Sequence, residues 1–226
     1  MKIGLFGGTF DPIHWGHLRS AEEVRESLSL DRVVFIPAAK PPHKQKRPEA
    51  SAQDRLAMVR LALAGNPYFA LSTVEIDRPG KSYSIDTLNY FADHKGPGDE
   101  LYFILGYDAF RDIGEWKDFR EIFPLCHVVV TSRPGSNSAF SSDGMPVAVG
   151  KLFCYDPRRK AYRHQRGTYL SFLKITDIAI SASDIRERVR EGRSVRYLVP
   201  SRIDSYIRRR RLYREAEARR KRQTAK

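Results

Sequence analysis

The residues with the most chemistry to offer lie in one N-terminal run, Gly7-Gly8-Thr9-Phe10-Asp11-Pro12-Ile13-His14-Trp15-Gly16-His17. Glycine lets a backbone approach an anion closely, and a helix that starts beside it presents unpaired N–H groups and a partial positive charge. The three-residue spacing of His14 and His17 sets both imidazoles at one helical entrance, where each can donate a hydrogen bond to a phosphate oxygen. A phosphate site follows in outline. His-x-x-His could instead ligate a metal, but it supplies only two ligands, and no neighbouring cysteine or suitably spaced third histidine completes a zinc set. No metal bound by the protein itself is expected. Gly7-Gly8 could also be a plain turn with incidental histidines, a reading that the whole run disfavours. Asp11 before Pro12 reads as a turn former, not as a catalytic group.

These side chains need elements to hold them. Short apolar, β-branched-rich runs at 3–6, 33–36, 69–76, 101–105 and 128–131 read as buried strands. Between them lie helical periodicities: 18–28 sets Leu18, Ala21, Val24 and Leu28 on one face, and 52–63 does so with Leu56, Val59, Leu61 and Leu63. Strand and helix alternate through the first 130 or so residues, which predicts an α/β, doubly wound, mostly parallel sheet with helices on both faces. In such a sheet ligands bind at the strand-to-helix edge, where the 7–17 run falls. Further on, 134–150 is rich in Gly, Ser and Pro and reads as a surface loop, and 161–173 fits no single element. The run 174–180 reads as another strand, followed by a helix near Ser183 with Ser183, Asp184 and Glu187 as a capping arrangement. A small helical C-terminal part closes the chain. From Arg208 onward bases alternate with Glu215 and Glu217, which predicts a solvated helix that frays. Residues 1–213 are expected to form one domain and 214–226 a basic, frayed or disordered tail.

The 226 residues suffice for one large core, and no apolar stretch reaches the roughly 18 to 20 residues of a membrane helix. Nothing like a signal core follows Met1-Lys2, so a cytoplasmic protein is expected. Cys126 and Cys154 form no metal or disulfide pattern and read as two buried thiols. The net charge of +13 suggests anionic ligands, but much of it sits in 208–211 and 219–222, a property of the tail. A nucleic-acid-binding protein is the rival from another class; no base-reading module appears, so no specific nucleic-acid partner is expected.

The His14-Trp15-Gly16-His17 element resembles the His-x-Gly-His signature of the nucleotidyltransferase superfamily, and the longer Gly-Gly-Thr-Phe-Asp-Pro-Ile-His form resembles its bacterial nicotinate mononucleotide adenylyltransferase branch. Four further segments match in order and distance: Pro41-Pro42-His43-Lys44; Arg78-Pro79-Gly80 with 82–88; Leu105-Gly106-Tyr107-Asp108 with Trp116; and 180–186. The late Arg196-Tyr197-Leu198-Val199-Pro200, followed by Tyr206-Ile207 and Leu212-Tyr213, matches the family's C-terminal end. The resemblance implies a Rossmann-like fold and a direct displacement, in which the 5′-phosphate of nicotinate mononucleotide attacks the α-phosphorus of ATP and pyrophosphate leaves. A phosphate nucleophile is already ionised near neutral pH, so positioning and charge stabilisation suffice.

The resemblance also implies roles. His14, His17 and Arg186 are the catalytic residues, with Arg186 holding the β- and γ-phosphates. Gly7, Gly8, Thr9, Phe10, Gly16, Gly106, Asp108, Ser181 and Ser183 complete the ATP site. His43, Lys44, Tyr83, Ser84, Trp116 and Arg133 are the residues for nicotinate mononucleotide, with Trp116 stacked on the pyridine and backbone N–H groups near Tyr83 and Ser84 favouring a carboxylate over an amide. Mg2+ is expected to arrive with ATP. The chain departs mildly from the pattern: Ser84 and Ser183 stand where threonine is common, and Ala182 where a second serine is. Trp15 is bulkier than its position predicts. Superfamily enzymes acting on pantetheine phosphate or nicotinamide mononucleotide, or transferring a cytidylyl group, are the nearest rivals; Trp116 and the 82–88 segment argue against them.

Overall fold

The computed structural model describes residues 1–42, 47–132 and 144–214. Strand and helix alternate from the start: β1 (Lys2–Gly8), α1 (Trp15–Leu28), β2 (Arg32–Pro37), α2 (Ala52–Leu63), β3 (Phe69–Leu71), α3 (Val74–Asp77), α4 (Ser84–His94), β4 (Glu100–Gly106), α5 (Tyr107–Arg111), α6 (Phe119–Leu125) and β5 (His127–Thr131). Beyond residue 143 come α7 (Val147–Gly150), β6 (Phe153–Asp156), β7 (Ala161–His164), β8 (Tyr169–Leu173), α8 (Ala182–Arg190) and α9 (Ser201–Arg210).

One sheet joins the strands in the order β3-β2-β1-β4-β5-β8-β7-β6. Pairing is parallel from β3 to β8 and antiparallel through β7 and β6. The parallel strands alternate between two cores. Val33 and Phe35 of β2, with Ile104 and Val129, face the layer of α1, α2, α8 and α9. Val34 and Ile36, with Leu101, Phe103, Leu105, Val128 and Val130, face the layer of α4, α5 and α6. This two-sided burial explains why the strands read as continuous apolar runs. Strand order reverses at β1, which lies between β2 and β4, so a crevice opens at the carboxyl ends of β1 and β4. The expected doubly wound sheet is thus present, and it puts Gly7, Gly8 and Gly106 on one edge.

Several expectations for single elements are corrected. The 69–76 run is not one strand: β3 stops at Leu71 and α3 starts at Val74, where the Ser72 hydroxyl accepts the Val74 N–H at 3.3 Å and Thr73 Oγ1 donates to Asp77 at 2.5 Å. Such local side-chain bonds compete with a ladder. The 174–180 run has no strand either, because its backbone turns to side chains: Ile175 N–H donates to Ser132 Oγ at 3.0 Å and Thr176 N–H to Glu23 at 2.8 Å. The ambiguous 161–173 stretch is the β7–β8 hairpin, turning through Gly167 at φ +90°. The end of the Pro-rich loop carries the short helix α7. Ser181, not Ser183, caps α8, its hydroxyl accepting the Asp184 N–H at 3.1 Å. Cys126 is buried as expected, but Cys154, on the edge strand β6, is exposed.

The C-terminal part differs most. The last helix starts at Ser201 and stops at Arg210, with Arg211 left-handed at φ 54°. It is held to α2 because Tyr206 Oη and Arg210 Nε both donate to Asp54 Oδ1, at 2.9 and 3.0 Å. Tyr213 is buried, so the solvated helix expected from Arg208 onward does not form over 211–214. Glu215, Glu217 and the rest of the tail lie outside the described residues.

Candidate active site

The histidine corner is built from its own sequence. His14 is the N-cap of α1, in extended conformation, and its N–H donates to Nδ1 of His17 at 3.3 Å. The two rings stack with centroids 3.7 Å apart and 28° between planes. Gly16 permits this, since a Cβ there would stand 3.1 Å from two atoms of the His14 ring. Gly8 has a similar duty: a Cβ would come within 2.8 Å of the Phe10 ring. Phe10 itself takes φ 48° and turns its ring into the core, edge-on to His17 at 5.1 Å. Phe10 is 2% exposed and so offers no side chain to a ligand. The Trp15 indole is exposed, while the residue's backbone N–H donates to Leu198 O at 3.2 Å.

Burial lowers the pKa of His14 from 6.5 to about 4, so its imidazole is neutral near pH 7. Its Nδ1 is buried with no hydrogen-bond partner among the described residues. An unpaired buried polar atom costs free energy, of the order of 1–3 kcal/mol, unless a further group meets it.

Asp11 proves to be more than a turn former. Its carboxylate accepts the Glu49 N–H at 2.8 Å, the Ala50 N–H at 3.2 Å and the Tyr213 hydroxyl at 2.8 Å. Its backbone oxygen accepts Nη1 of Arg186 at 2.7 Å. The arginine from α8 thus reaches the histidine corner, and its Nε also donates to Glu49 Oε1 at 2.8 Å. Ser181 and Ser183 lie at the N-terminus of the same helix, their hydroxyls 3.1 Å apart. Arg55, the largest fully buried side chain, donates to Thr9 O at 2.7 Å and Ala39 O at 3.2 Å, tying together the loops after β1 and β2. Nothing in the spacing of α2 distinguishes this arginine from the exposed Arg60, and it escapes a reading by periodicity.

Gly106 ends β4 and Asp108 is exposed in the first turn of α5. A Cβ on Gly7 or Gly106 would meet nothing within 4 Å, so both border open space at the sheet edge. There a cavity of about 260 Å³ is lined by Gly7, Gly8, Thr9, Ser84, Gly106 and Trp116, together with the buried Glu75 and Ser82. Tyr83 stands just outside this lining, its ring under the Lys117 ammonium at 5.0 Å. Ser82 Oγ accepts the Ala39 and Lys40 N–H groups at 2.9 and 3.2 Å, and the Thr87 hydroxyl donates to Glu75 at 2.7 Å. Burial raises the pKa of Glu75, which Thr87 and Ser82 partly oppose. Ser82 lies inside the matched 82–88 segment, whereas only its distance from an apolar strand could have singled out Glu75. His43, Lys44 and Arg133 lie outside the described residues.

A larger cavity, about 880 Å³, is lined by Arg190, Arg193, Arg208, Arg211 and Arg214 between α8 and α9, and contains no residue of the β1–β4 edge. Among the described residues no three His, Cys, Asp or Glu side chains are grouped to hold a metal, and no helix is long and apolar enough to cross a membrane.

The cytidylyltransferase-like family matches residues 5–188. A protein of Geobacter sulfurreducens named "Probable nicotinate-nucleotide adenylyltransferase" is 49% identical over 213 residues, covering 94% of this chain and 98% of its own length. One of Geotalea uraniireducens with the same name is 50% identical, covering 96% and 100%. Among solved structures, a nicotinic acid mononucleotide adenylyltransferase of Plasmodium falciparum complexed with NaAD has a TM-score of 0.69 at 16% identity, covering 94% of this chain and 97% of that one, and so shares the fold.

Proposed function

The chain belongs to the cytidylyltransferase-like family, with the nicotinate-nucleotide adenylyltransferases as its near relatives, and from that premise we propose that it transfers the adenylyl group of ATP to nicotinate mononucleotide, giving nicotinate adenine dinucleotide and pyrophosphate in NAD biosynthesis. The observation that carries this reading is the stacked His14–His17 pair at the β1–β4 edge, joined to Arg186 through the Asp11 carbonyl.

The 5′-phosphate oxygen of the mononucleotide forms a bond to the α-phosphorus as the bond to the bridging oxygen of the pyrophosphate group breaks. No proton need be abstracted and no covalent enzyme intermediate forms. His17 donates to the α-phosphate as charge builds there, and neutral His14 lies against it with one N–H to give. Arg186, with the Ser181–Ser183 helix start, holds the β- and γ-phosphates, where a planar guanidinium binds two oxygens at once. Gly7, Gly8, Thr9, Gly16, Gly106 and Asp108 border the nucleotide, and the cavity lined by Ser84 and Trp116 takes the pyridine. Mg2+ comes to the site with ATP as part of that substrate, screening its phosphates. His43, Lys44 and Arg133 remain assigned to the mononucleotide by resemblance alone. The cytoplasm is the setting that this chemistry suits.

Incubation with ATP, Mg2+ and either nicotinate or nicotinamide mononucleotide tests the proposal. Pyrophosphate should be released with both, faster with the acid; no release with either would sink the assignment, and a faster amide would shift it to the neighbouring activity.

A further inference from the structure

Arg186 is not a bare cation. Its guanidinium has two fixed partners from the opposite side of the site: Nη1 donates to the Asp11 carbonyl at 2.7 Å and Nε to Glu49 Oε1 at 2.8 Å. The same carboxylate receives Nη2 of Arg190 at 2.5 Å on Oε1 and 2.6 Å on Oε2. Partial burial pushes the Glu49 carboxyl up, but Arg190 and Arg186 outweigh that and hold it below the usual range, so it is ionised at neutral pH. An anion thus sits on the donor edge of the arginine assigned to the ATP phosphates.

The two anchors of Arg186 differ in kind. The Asp11 carbonyl belongs to a backbone fixed by three hydrogen bonds to the Asp11 carboxylate. Glu49 Oε1 is the end of a rotatable side chain, 38% exposed. Loss of the second contact leaves the first in place and the guanidinium oriented. The carboxylate loses little by leaving, because Arg190 already donates to both of its oxygens.

We propose that Glu49 is a resident counter-anion of the triphosphate site: it occupies Nε of Arg186 until a phosphate oxygen of ATP takes that donor, and then leans wholly on Arg190. The proposal rests on Arg186 as the arginine that receives the β- and γ-phosphates. Glu49 touches no reacting atom; it acts through Arg186 by competing with the nucleotide for one N–H.

Steady-state kinetics of Glu49→Gln, Glu49→Ala and Arg186→Ala test it, with both substrates varied. Glu49→Gln keeps the shape and removes the charge, so KM for ATP should fall about two- to fivefold, the range set by a partly exposed ion pair. KM for nicotinate mononucleotide and the thermal midpoint should stay put. Glu49→Ala should lower KM for ATP in the same direction. If KM for ATP is unchanged or rises in both Glu49 variants, Glu49 does not compete with ATP for Arg186 and the proposal is overturned. Arg186→Ala separates the two levels: it should raise KM for ATP and lower kcat, and wild-type kinetics would remove Arg186 itself from the phosphate site. Impaired Arg186→Ala with unresponsive Glu49 variants leaves the ATP site standing and overturns only the role of Glu49.

Discussion

His14 and His17 stand three residues apart, and one helix start brings their rings to 3.7 Å. Ser84, Trp116 and Glu75 meet around their cavity only because the loops after β3 and β4 leave a parallel sheet on the same edge. The first wall of the cleft is a local structure, fixed by a cap and two glycines whose Cβ atoms would strike neighbouring rings. The second is an assembly whose members share no turn of helix and no hairpin. In the proposed reaction the local wall carries the chemistry and the assembled wall the choice of acceptor, so changes on the two walls should separate into effects on kcat and effects on one KM.

The largest effect is expected on the local wall. His17→Ala should lower kcat about 100- to 1,000-fold, the usual loss for one preorganised donor at a developing oxyanion, while the urea midpoint hardly moves. Unfolding in this variant would mean that the corner is structural first, and the comparison would fail on that side.

His14 offers a second test, because burial gives it a folded-state pKa of about 4 against 6.5 when free. A base whose pKa is depressed by folding binds its proton better in the unfolded chain. The stability that depends on its neutrality is therefore complete above pH 6.5 and is lost as pH falls toward 4. Between neutral pH and about pH 4.5 this amounts to roughly 2–3 kcal/mol, measurable by urea unfolding at the two pH values. His14→Gln should remove most of that difference. An unchanged pH dependence would show that the imidazole is less enclosed than its contacts indicate.

The smallest effect belongs to the assembled wall. Trp116→Ala should raise KM for nicotinate mononucleotide about tenfold, in line with the loss of one aromatic contact, and leave KM for ATP alone. A matching rise for both substrates would show that the two walls are not separable.

Much of this was legible beforehand. Alternating apolar runs and helical periods predicted the doubly wound sheet, and the run 7–17 predicted the corner, because residues adjacent at a strand-to-helix turn are adjacent in space. Legibility ended where side chains compete with the backbone for hydrogen bonds. Ser72 and Thr73 cut the 69–76 run into a strand and a helix, and Ser132 and Glu23 took the donors that would have made 174–180 a strand. Tyr213 lies in a segment that the family resemblance marks, but its inward turn was illegible, because a basic, periodic end reads as solvated whether or not one ring reaches Asp11.

The sequence by itself determined the histidine corner with its glycines, the strands β1, β2, β4 and β5 and the helices α1 and α2, since these depend on sterics and hydrogen bonds within a few residues. Only the tertiary structure decided that Arg186 meets Asp11 and Glu49, across 175 and 137 positions of chain. It also turned Phe10 into the core and enclosed Arg55 between two loops. Those contacts depend on which strand lies next to which, and no local period records that choice.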